Sequence, residues 1–217
     1  MKLKKPSICL RITLFIFLIQ SSISTVYGQR FATAAVAGFN ASQVDGDMLA
    51  GFDKVGFTGG LKAVVDFESA FDLNVEFLYS KRGSRPDIFN PDYDPDITFD
   101  LSYIELPVYM SLGDWWQEEG EYYKVSVQGG LSYGRLINAT VEDYFHLDEE
   151  SYELLVPYFS DNDLSWIVGA TYRMSSHWAI TGRYTRGIIP LLDPVKHNIA
   201  TEKLTSYFLT FRAEYYF

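Results

Sequence analysis

Hydrophobic and polar residues alternate along most of the chain with a period of two, which predicts β-strands that have one apolar and one polar face. Between residues 71 and 82, for example, Phe71, Leu73, Val75 and Phe77 share one parity, and polar residues occupy the other. The same alternation predicts eight strands, over residues 31–40, 55–67, 71–82, 98–112, 123–135, 164–174, 178–186 and 206–217.

The fourth predicted strand does not keep a single parity. Ile104, Leu106 and Val108 form one apolar face, but Tyr103 and other large residues lie on the opposite face. Pro107 within this strand removes a backbone hydrogen-bond donor. We therefore expect a β-bulge near Pro107 that switches the apolar residues from one face to the other.

Long and short connections alternate between the predicted strands. The long ones cover residues 41–54, 83–97, 138–163 and 187–205; the others cover 68–70, 113–120 and 175–177. Outer-membrane barrels have long extracellular loops and short periplasmic turns. The predicted fold is therefore all-β, an eight-stranded antiparallel transmembrane up-and-down β-barrel with both termini on the periplasmic side. A ten-stranded barrel stays open, because residues 152–159 could add a hairpin arm.

Aromatic residues of matching parity lie near both ends of seven predicted strands. Spacings of six to ten residues correspond to about 15–25 Å along tilted strands, close to the apolar band of a barrel. We interpret them as the two aromatic belts of a membrane barrel. The pairs are Phe31 and Phe39, Phe57 and Phe67, Phe71 and Tyr79, Tyr123 and Tyr133, Trp166 and Tyr172, Trp178 and Tyr184, and Tyr207 and Tyr215.

The last strand alternates up to an aromatic final residue. This pattern is typical of the signal by which barrels are inserted into the outer membrane, so the barrel-assembly machinery is expected to recognise the strand during biogenesis. The residues of this predicted insertion signal are Leu209, Phe211, Ala213, Tyr215 and Phe217.

The first 28 residues have the pattern of a secretory signal peptide. Lys2, Lys4 and Lys5 precede a short apolar run over residues 8–19, and the small residue Gly28 suits a cleavage site. We expect residues 1–28 to be removed and residues 29–217 to form one barrel domain. Because residues 1–28 hold four of the 18 basic residues and none of the 28 acidic ones, the rest has a net charge of −14. Such acidity argues against a nucleic-acid partner.

Tyr103-Ile104-Glu105-Leu106-Pro107 resembles the Y-x-E-[IL]-P motif in the fourth strand of the PorT-like outer-membrane β-barrel family. Residues 36–40 and 168–170 are similar to other strands of that family, and the resemblance covers essentially all of residues 29–217. It implies an eight-stranded barrel of the OmpA/OmpX type. A role in protein secretion or envelope assembly is what the resemblance implies for function.

Charged residues occupy the polar parity, which faces the interior if the apolar parity faces lipid. An eight-stranded barrel is just wide enough for side chains to fill it. We expect these charges to pair with one another, because an unpaired buried charge is costly. The predicted interior charge network is Lys62, Asp66, Asp72, Glu76, Glu105, Lys124, Arg173, Arg183, Arg212 and Glu214.

No other pattern points strongly to chemistry. Asp92, Asp94 and Asp96 could offer oxygens to Ca²⁺, but the glycine and final glutamate of an EF-hand loop are missing. His146, His177 and His197 do not fall beside a serine on a lipid-facing strand, as a lipid A deacylase would need. The sequence therefore predicts no enzyme, no cofactor and no bound metal.

The predicted function is a structural or interaction role carried by the extracellular loops. The expected partners are outer-membrane lipid, lipopolysaccharide and envelope proteins, and the chain is expected to be a monomer. Two alternatives stay open. The first is a secreted, soluble lipocalin-like barrel, in which the apolar parity faces the interior and binds a small apolar ligand. An outer-membrane lipid-modifying enzyme is the second alternative.

Overall fold

Eight antiparallel strands form one closed barrel in the computed structural model, which describes residues 30–67, 69–87, 96–144, 151–199 and 202–217. The predicted signal peptide lies outside the described residues. The strands are β1 (Arg30–Asp45), β2 (Lys54–Asp66), β3 (Phe71–Ser84), β4 (Ile97–Gln117), β5 (Tyr122–Asp143), β6 (Asn162–Arg173), β7 (Trp178–Gly187) and β8 (Thr205–Tyr216). The predicted all-β barrel is confirmed.

Each strand pairs with its neighbours in sequence, and β1 pairs with β8 to close the barrel. The closing register runs from Ala34 opposite Tyr216 to Asp45 opposite Thr205. Closure lets the backbone N–H and C=O groups of the first and last strands hydrogen-bond to each other. Lipid could not provide hydrogen bonds to these groups. The last strand therefore forms a full seam and is not a free edge.

The loops at the two ends of the barrel differ in length as the alternation predicts. Residues 46–53, 85–96, 144–161 and 188–204 connect strands at the extracellular end, and residues 67–70, 118–121 and 174–177 connect them at the periplasmic end. The ten-stranded alternative is wrong, because Tyr152–Tyr158 is a 3-10 helix and the closed barrel has eight strands. A short helix, α1 (Pro194–His197), lies in the last extracellular loop.

The predicted face switch near Pro107 is also wrong. Odd-numbered residues of β4 point inward all the way from Ile97 to Gly113, including Tyr103, Glu105 and Pro107. The strand keeps its orientation, and what changes along β4 is which of its two faces has an apolar environment. In the membrane the outer face is apolar, whereas above it Phe99 and Leu101 are buried inside and Asp100 faces outward.

The bulge lies in the neighbouring strand. Ser102 pairs with Asn138 and Tyr103 pairs with Leu136, so Ile137 is an extra residue in β5. Inward residues of β5 are even-numbered below this point, as at Gln128 and Ser132, and odd-numbered above it, as at Val141. A bulge thus re-aims the upper part of β5 and not of β4.

The outer face of the barrel carries the large apolar residues. Most of the predicted belt aromatics lie there, whereas Phe31 and Tyr123 line the periplasmic mouth. No helix among the described residues is long and apolar enough to cross a membrane. An apolar exterior around a charged interior is the reverse of a lipocalin, so the geometry speaks against the lipocalin-like alternative.

Candidate functional site

The centre of the barrel contains a buried ion-pair network, which we call the central cluster: Lys62, Glu76, Arg183, Arg212 and Glu214. Arg212 joins its two carboxylates, because Nη1 donates to Glu76 Oε2 at 2.8 Å and Nε donates to Glu214 Oε1 at 3.0 Å. Arg183 Nη1 donates to Glu76 Oε2 at 3.0 Å, and Lys62 Nζ donates to Glu214 Oε2 at 3.0 Å. Four strands, β2, β3, β7 and β8, are therefore connected across the lumen.

Two tyrosines complete the central cluster. Tyr109 donates its hydroxyl to Glu76 Oε1 at 2.5 Å, and Tyr216 donates to Glu214 Oε2 at 2.9 Å. Tyr109 pairs across the sheet with Gly130, where an added Cβ would lie 2.5 Å from the Cβ of Tyr109. The glycine therefore leaves the space in which Tyr109 lies.

Nearer the extracellular end, Arg82, Glu105 and Asp163 form a second network, the upper cluster. Arg82 Nη1 donates to Glu105 Oε1 at 3.0 Å, and Arg82 Nη2 donates to Asp163. The guanidinium carbon of Arg82 lies 3.8 Å from the ring centroid of Tyr103 and 4.8 Å from that of Phe208. A planar cation between two aromatic rings and two carboxylates is held in one orientation.

Taken together, the two clusters hold equal numbers of basic and acidic side chains. They hold four basic side chains, Lys62, Arg82, Arg183 and Arg212, against four carboxylates, Glu76, Glu105, Asp163 and Glu214. Desolvating a charge in so narrow a lumen is costly unless it is paired and hydrogen-bonded. Together the two clusters therefore fill the middle of the barrel as a polar plug.

Above the upper cluster, an apolar core fills the part of the barrel outside the membrane and joins it to the loops. We call this region, with the loops packed on it, the extracellular cap. Ring centroids of Phe99 and Tyr152 are 5.5 Å apart, and Phe99 also stacks on Phe159 at 6.2 Å. The buried core residues are Val44, Leu49, Ile97, Phe99, Leu101, Tyr103, Val141, Tyr152, Phe159, Leu191, Leu192 and Leu204.

Backbone hydrogen bonds tie the loops of the cap to one another and to the strands. Ser160 N donates to Leu191 O at 2.7 Å, which joins the third and fourth extracellular loops. Leu136 N donates to Asp161 O at 2.8 Å, which joins the third loop to β5. Together with the apolar core, these bonds give the cap a defined shape.

The first extracellular loop is fixed by a buried carboxylate, Asp47. Its oxygens accept hydrogen bonds from Gln43 Nε2 at 3.1 Å, from Leu49 N at 3.0 Å and from the Ser84 hydroxyl. Burial raises the pKa of Asp47 to about 6, although these hydrogen bonds act in the opposite direction. The carboxyl is therefore more basic in the folded cap than in an unfolded chain.

The raised pKa of Asp47 predicts a pH-dependent cap. Because the folded state binds a proton that the unfolded chain has lost, the cap loses stability as pH rises from about 4 to 6, by up to about 3 kcal/mol. We expect the carboxyl ¹³C resonance of Asp47 to titrate with a midpoint near 6 in lipid nanodiscs, and Asp47→Asn to remove that titration. A midpoint at or below 4 would contradict the buried position of Asp47.

The periplasmic end of the barrel has a different character, because it holds an open cavity of about 810 Å³. Its wall includes Asp66, Asp72 and Arg173 from three strands, and Lys62 of the central cluster lies among its lining residues. Rings of Tyr122 and Tyr216 face the Arg173 guanidinium at 5.0 and 4.1 Å.

The structure places nine of the ten predicted interior residues in three groups and leaves Lys124 outside them. Lys62, Glu76, Arg183, Arg212 and Glu214 meet in the central cluster, and Glu105 lies in the upper cluster. Asp66, Asp72 and Arg173 line the periplasmic cavity. Lys124 lies apart from both clusters, with its ammonium 4.5 Å from the ring centroid of Trp115 and 5.9 Å from that of Tyr172.

Sequence reasoning missed several partners of these charges. Arg82 shares the inward parity of Glu76 on β3, so parity alone could have identified it. The sequence pattern places Asp163 in a loop, because the apolar alternation of β6 begins at Leu164. Tyr109 and Tyr216 were missed because aromatic residues in a membrane barrel are expected to face lipid.

The residues of the predicted insertion signal lie along the outward parity of β8. Tyr215 contacts the rings of Trp178 and Phe217 at centroid distances of 5.0 and 5.8 Å, next to the β1–β8 seam. Leu209, Phe211 and Ala213 continue the same row. Recognition of this row by the assembly machinery stays a prediction.

The residues considered for metal binding or catalysis form no such site in the described part of the chain. No group of three or more His, Cys, Asp or Glu side chains there is arranged to hold a metal ion. Asp92, Asp94 and His146 lie outside the described residues. His177 Nδ1 is 2.9 Å from Ser176 Oγ in an exposed periplasmic turn, and His197 packs against Tyr158.

Comparison with known proteins gives a family match over most of the chain. Residues 20–193 match the family described as outer membrane protein beta-barrel domain. No curated protein matches the sequence. The matching description is general and does not distinguish the PorT-like branch.

Solved barrels of similar fold come from several organisms. Ail of Yersinia pestis, solved with the heparin analogue sucrose octasulfate, is 16% identical, with 86% of this chain and 99% of that chain covered and a TM-score of 0.45. Neisserial surface protein A is 14% identical, with 86% of this chain and 97% of that chain covered and a TM-score of 0.46. OprG of Pseudomonas aeruginosa is 12% identical, with 87% of this chain and 94% of that chain covered and a TM-score of 0.37. At such identities and scores, none of them says what this chain binds.

Proposed function

Because this chain belongs to the outer membrane protein beta-barrel domain family, it is an outer-membrane barrel, and we propose that it acts as a surface interaction protein through its extracellular cap. The observation that carries the proposal is the apolar core of the cap. That core packs residues of three extracellular loops on the ends of the strands. A surface that is ordered before binding loses less conformational entropy when a partner binds.

The exposed side chains of the cap suggest the chemistry of the partner. Leu154, Ile188 and Val195 are apolar and exposed, and Val195 is 89% exposed. Acidic residues lie next to two of them in sequence, Glu153 beside Leu154 and Asp193 two residues before Val195. We propose an envelope or extracellular protein that offers an apolar centre with basic residues around it, and not a nucleic acid.

The filled lumen supports a function outside the barrel instead of transport. A solute would have to break the central cluster, the upper cluster and the apolar core in turn. We therefore propose that the protein is neither a channel nor an enzyme, and that it works as a monomer. Its belts are proposed to contact outer-membrane lipid and lipopolysaccharide.

A role in secretion or envelope assembly, which the PorT-like motif implies, stays a proposal. Inside the barrel, Tyr103 and Glu105 of that motif hold Arg82. Since these side chains are buried, they act on the fold and not on a partner. Any such role would be exercised by the cap.

Photo-crosslinking on intact cells tests the proposed function. A photoreactive amino acid at Leu154 or Val195 is expected to yield a discrete protein adduct, and the yield is expected to fall several-fold at 0.5 M salt because the partner surface is basic. The matched control is Glu119, which is exposed in a periplasmic turn. Adducts from Glu119 alone, or none from either cap position, would contradict the proposal.

A further inference from the structure

The hairpin between β4 and β5 continues past the periplasmic rim of the barrel. The last residue of β4 that pairs with β3 is Leu112, opposite Phe71, and the first residue of β5 that pairs with β6 is Val125, opposite Tyr172. Beyond these residues the two strands pair only with each other. The end of the hairpin can therefore turn its faces independently of the barrel wall.

The two faces of this hairpin end are exchanged relative to the wall. Odd-numbered residues of β4 face the lumen as far as Gly113, but beyond it the even-numbered Trp116 lines the periplasmic cavity. Tyr123, which pairs with Trp116, has the outward parity of β5 and yet lines the cavity too. The neighbouring residues Trp115 and Lys124 are consequently turned to the outer side.

Two backbone features produce this exchange. Trp115 has a φ of 61°, in the left-handed region that a bulky residue enters only under constraint. Gly113 has no side chain, and a Cβ there would lie 2.4 Å from Cγ of Tyr123, so the tyrosine ring occupies the space that the glycine leaves. Backbone strain of this kind is concentrated at functional positions, which directs attention to the outer face of the hairpin.

That outer face holds a cation between two aromatic rings, a group that we call the rim triad: Trp115, Lys124 and Tyr172. The Lys124 ammonium lies 4.5 Å from the ring centroid of Trp115 and 5.9 Å from that of Tyr172. Both rings are exposed, so the cation is accessible from outside the barrel. Within the described part of the chain, no carboxylate forms an ion pair with Lys124.

The rim triad lies at the level of the periplasmic belt. Leu112 is the last residue of the apolar outward row of β4, and the exposed Asp114 follows it on the same parity. Tyr172 is one of the belt aromatics at the periplasmic end of β6. At this depth the acyl chains of the periplasmic leaflet meet their headgroups, and tryptophan, tyrosine and lysine suit both environments.

We propose that the rim triad binds the phosphate of a phospholipid in the periplasmic leaflet. The Lys124 ammonium donates hydrogen bonds to the phosphate oxygens and supplies the opposite charge that these oxygens lack elsewhere on this outer face. The rings of Trp115 and Tyr172 flank the cation and pack against the glycerol and the first acyl carbons. This site is independent of the proposed partner of the cap.

The surrounding charges favour a lipid phosphate over a phosphate in solution. Asp114, Glu118 and Glu119 are exposed on the same hairpin and repel a free anion. A phospholipid is held in the leaflet by its acyl chains, so its phosphate is present at a high effective concentration beside Lys124. A single accessible cation is then sufficient to bind it.

Titration of the intact barrel in uncharged detergent micelles tests the proposal, with dihexanoylphosphatidylglycerol as the probe and the indole N–H resonance of Trp115 as the signal. We expect a saturable shift, and binding about 5-fold weaker or more in Lys124→Gln because a charged hydrogen bond is lost. Lys124→Arg keeps the cation and is expected to bind within about 2-fold of the unchanged protein. Lys81→Gln removes an exposed lysine at the extracellular end and is the matched control, with no expected effect.

Two further probes identify what is recognised. Inorganic phosphate lacks the acyl chains and dihexanoylglycerol lacks the phosphate, so we expect each to bind about 10-fold more weakly or less. Equal binding of inorganic phosphate would mean an anion site only, and equal binding of dihexanoylglycerol would mean an apolar surface only. Either result overturns the proposal, as does unchanged affinity in Lys124→Gln.

Each variant is first checked for its heat-modifiable gel mobility, which reports a folded barrel. If Lys124→Gln does not fold, Tyr172→Leu removes one ring of the rim triad and keeps both the cation and the Trp115 signal. We expect it to weaken binding of the phospholipid about 3-fold, because the ring no longer flanks the cation. Unchanged affinity in Tyr172→Leu would then overturn the proposal.

Discussion

Replacing Glu76 with glutamine is expected to lower the free energy of unfolding of the barrel by about 3–5 kcal/mol. Glu76 accepts hydrogen bonds from Arg183, Arg212 and Tyr109 and is almost fully buried. Glutamine has nearly the same shape, but it removes the carboxylate that Arg183 pairs with and leaves Arg212 with Glu214 alone. Urea unfolding in lipid vesicles, followed by tryptophan fluorescence, measures the loss.

A solvent-exposed ion pair supplies the control for Glu76. Arg135 Nη2 and Asp161 Oδ2 are 2.9 Å apart, and their side chains are 52% and 62% exposed. Asp161→Asn is therefore expected to cost less than about 1 kcal/mol. If Glu76→Gln costs no more than Asp161→Asn, the central cluster does not stabilise the barrel in the way its geometry indicates.

Replacing Arg82 with methionine is expected to cost nearly as much, roughly 3–4 kcal/mol, in the same urea assay. The change leaves the carboxylates of Glu105 and Asp163 buried without their shared cation. Arg82→Lys keeps the charge but not the planar fork that reaches two carboxylates, nor its stacking on Tyr103. We expect lysine to recover less than half of the loss.

The control for Arg82 is another extracellular-side cation with a single partner. Lys54 Nζ lies 2.5 Å from Asp100 Oδ2, and the Asp100 side chain is 44% exposed. Lys54→Met is expected to cost less than about 1 kcal/mol because water can solvate the remaining carboxylate. Full recovery by lysine at position 82 would show that charge alone, without bidentate geometry, supports the upper cluster.

The strands and their membrane faces could be predicted from the sequence because the lipid imposes a strict alternation. On β3, each apolar residue from Phe71 to Phe77 faces outward and Glu76 faces inward. The alternation identifies the outward face only where lipid contacts one face of the strand and the polar interior of the barrel contacts the other. Where β4 leaves the membrane, water meets its outer face and the cap core meets its inner face. Phe99 and Leu101 therefore suggested a face switch that does not exist.

The pairing of the interior charges could not be predicted from the sequence. Parity places Glu76 and Arg212 inside the barrel, but their contact depends on strand stagger, which brings residues 136 positions apart within hydrogen-bonding distance. Strand stagger also brings Asp163, which lies just outside its predicted strand, into contact with Arg82. The periplasmic cavity could not be predicted either, because the sequence does not show where the interior side chains leave space unfilled.

Cysteine labelling on intact cells tests the central claim, a membrane-spanning barrel that presents an ordered cap outside the cell. The sequence has a single cysteine, Cys9, within the predicted signal peptide, so an introduced thiol would be the only one in the processed chain. A membrane-impermeant maleimide is expected to label Val195→Cys on intact cells, and Glu119→Cys only after the outer membrane is permeabilised. Labelling of Glu119→Cys but not of Val195→Cys on intact cells would contradict the account.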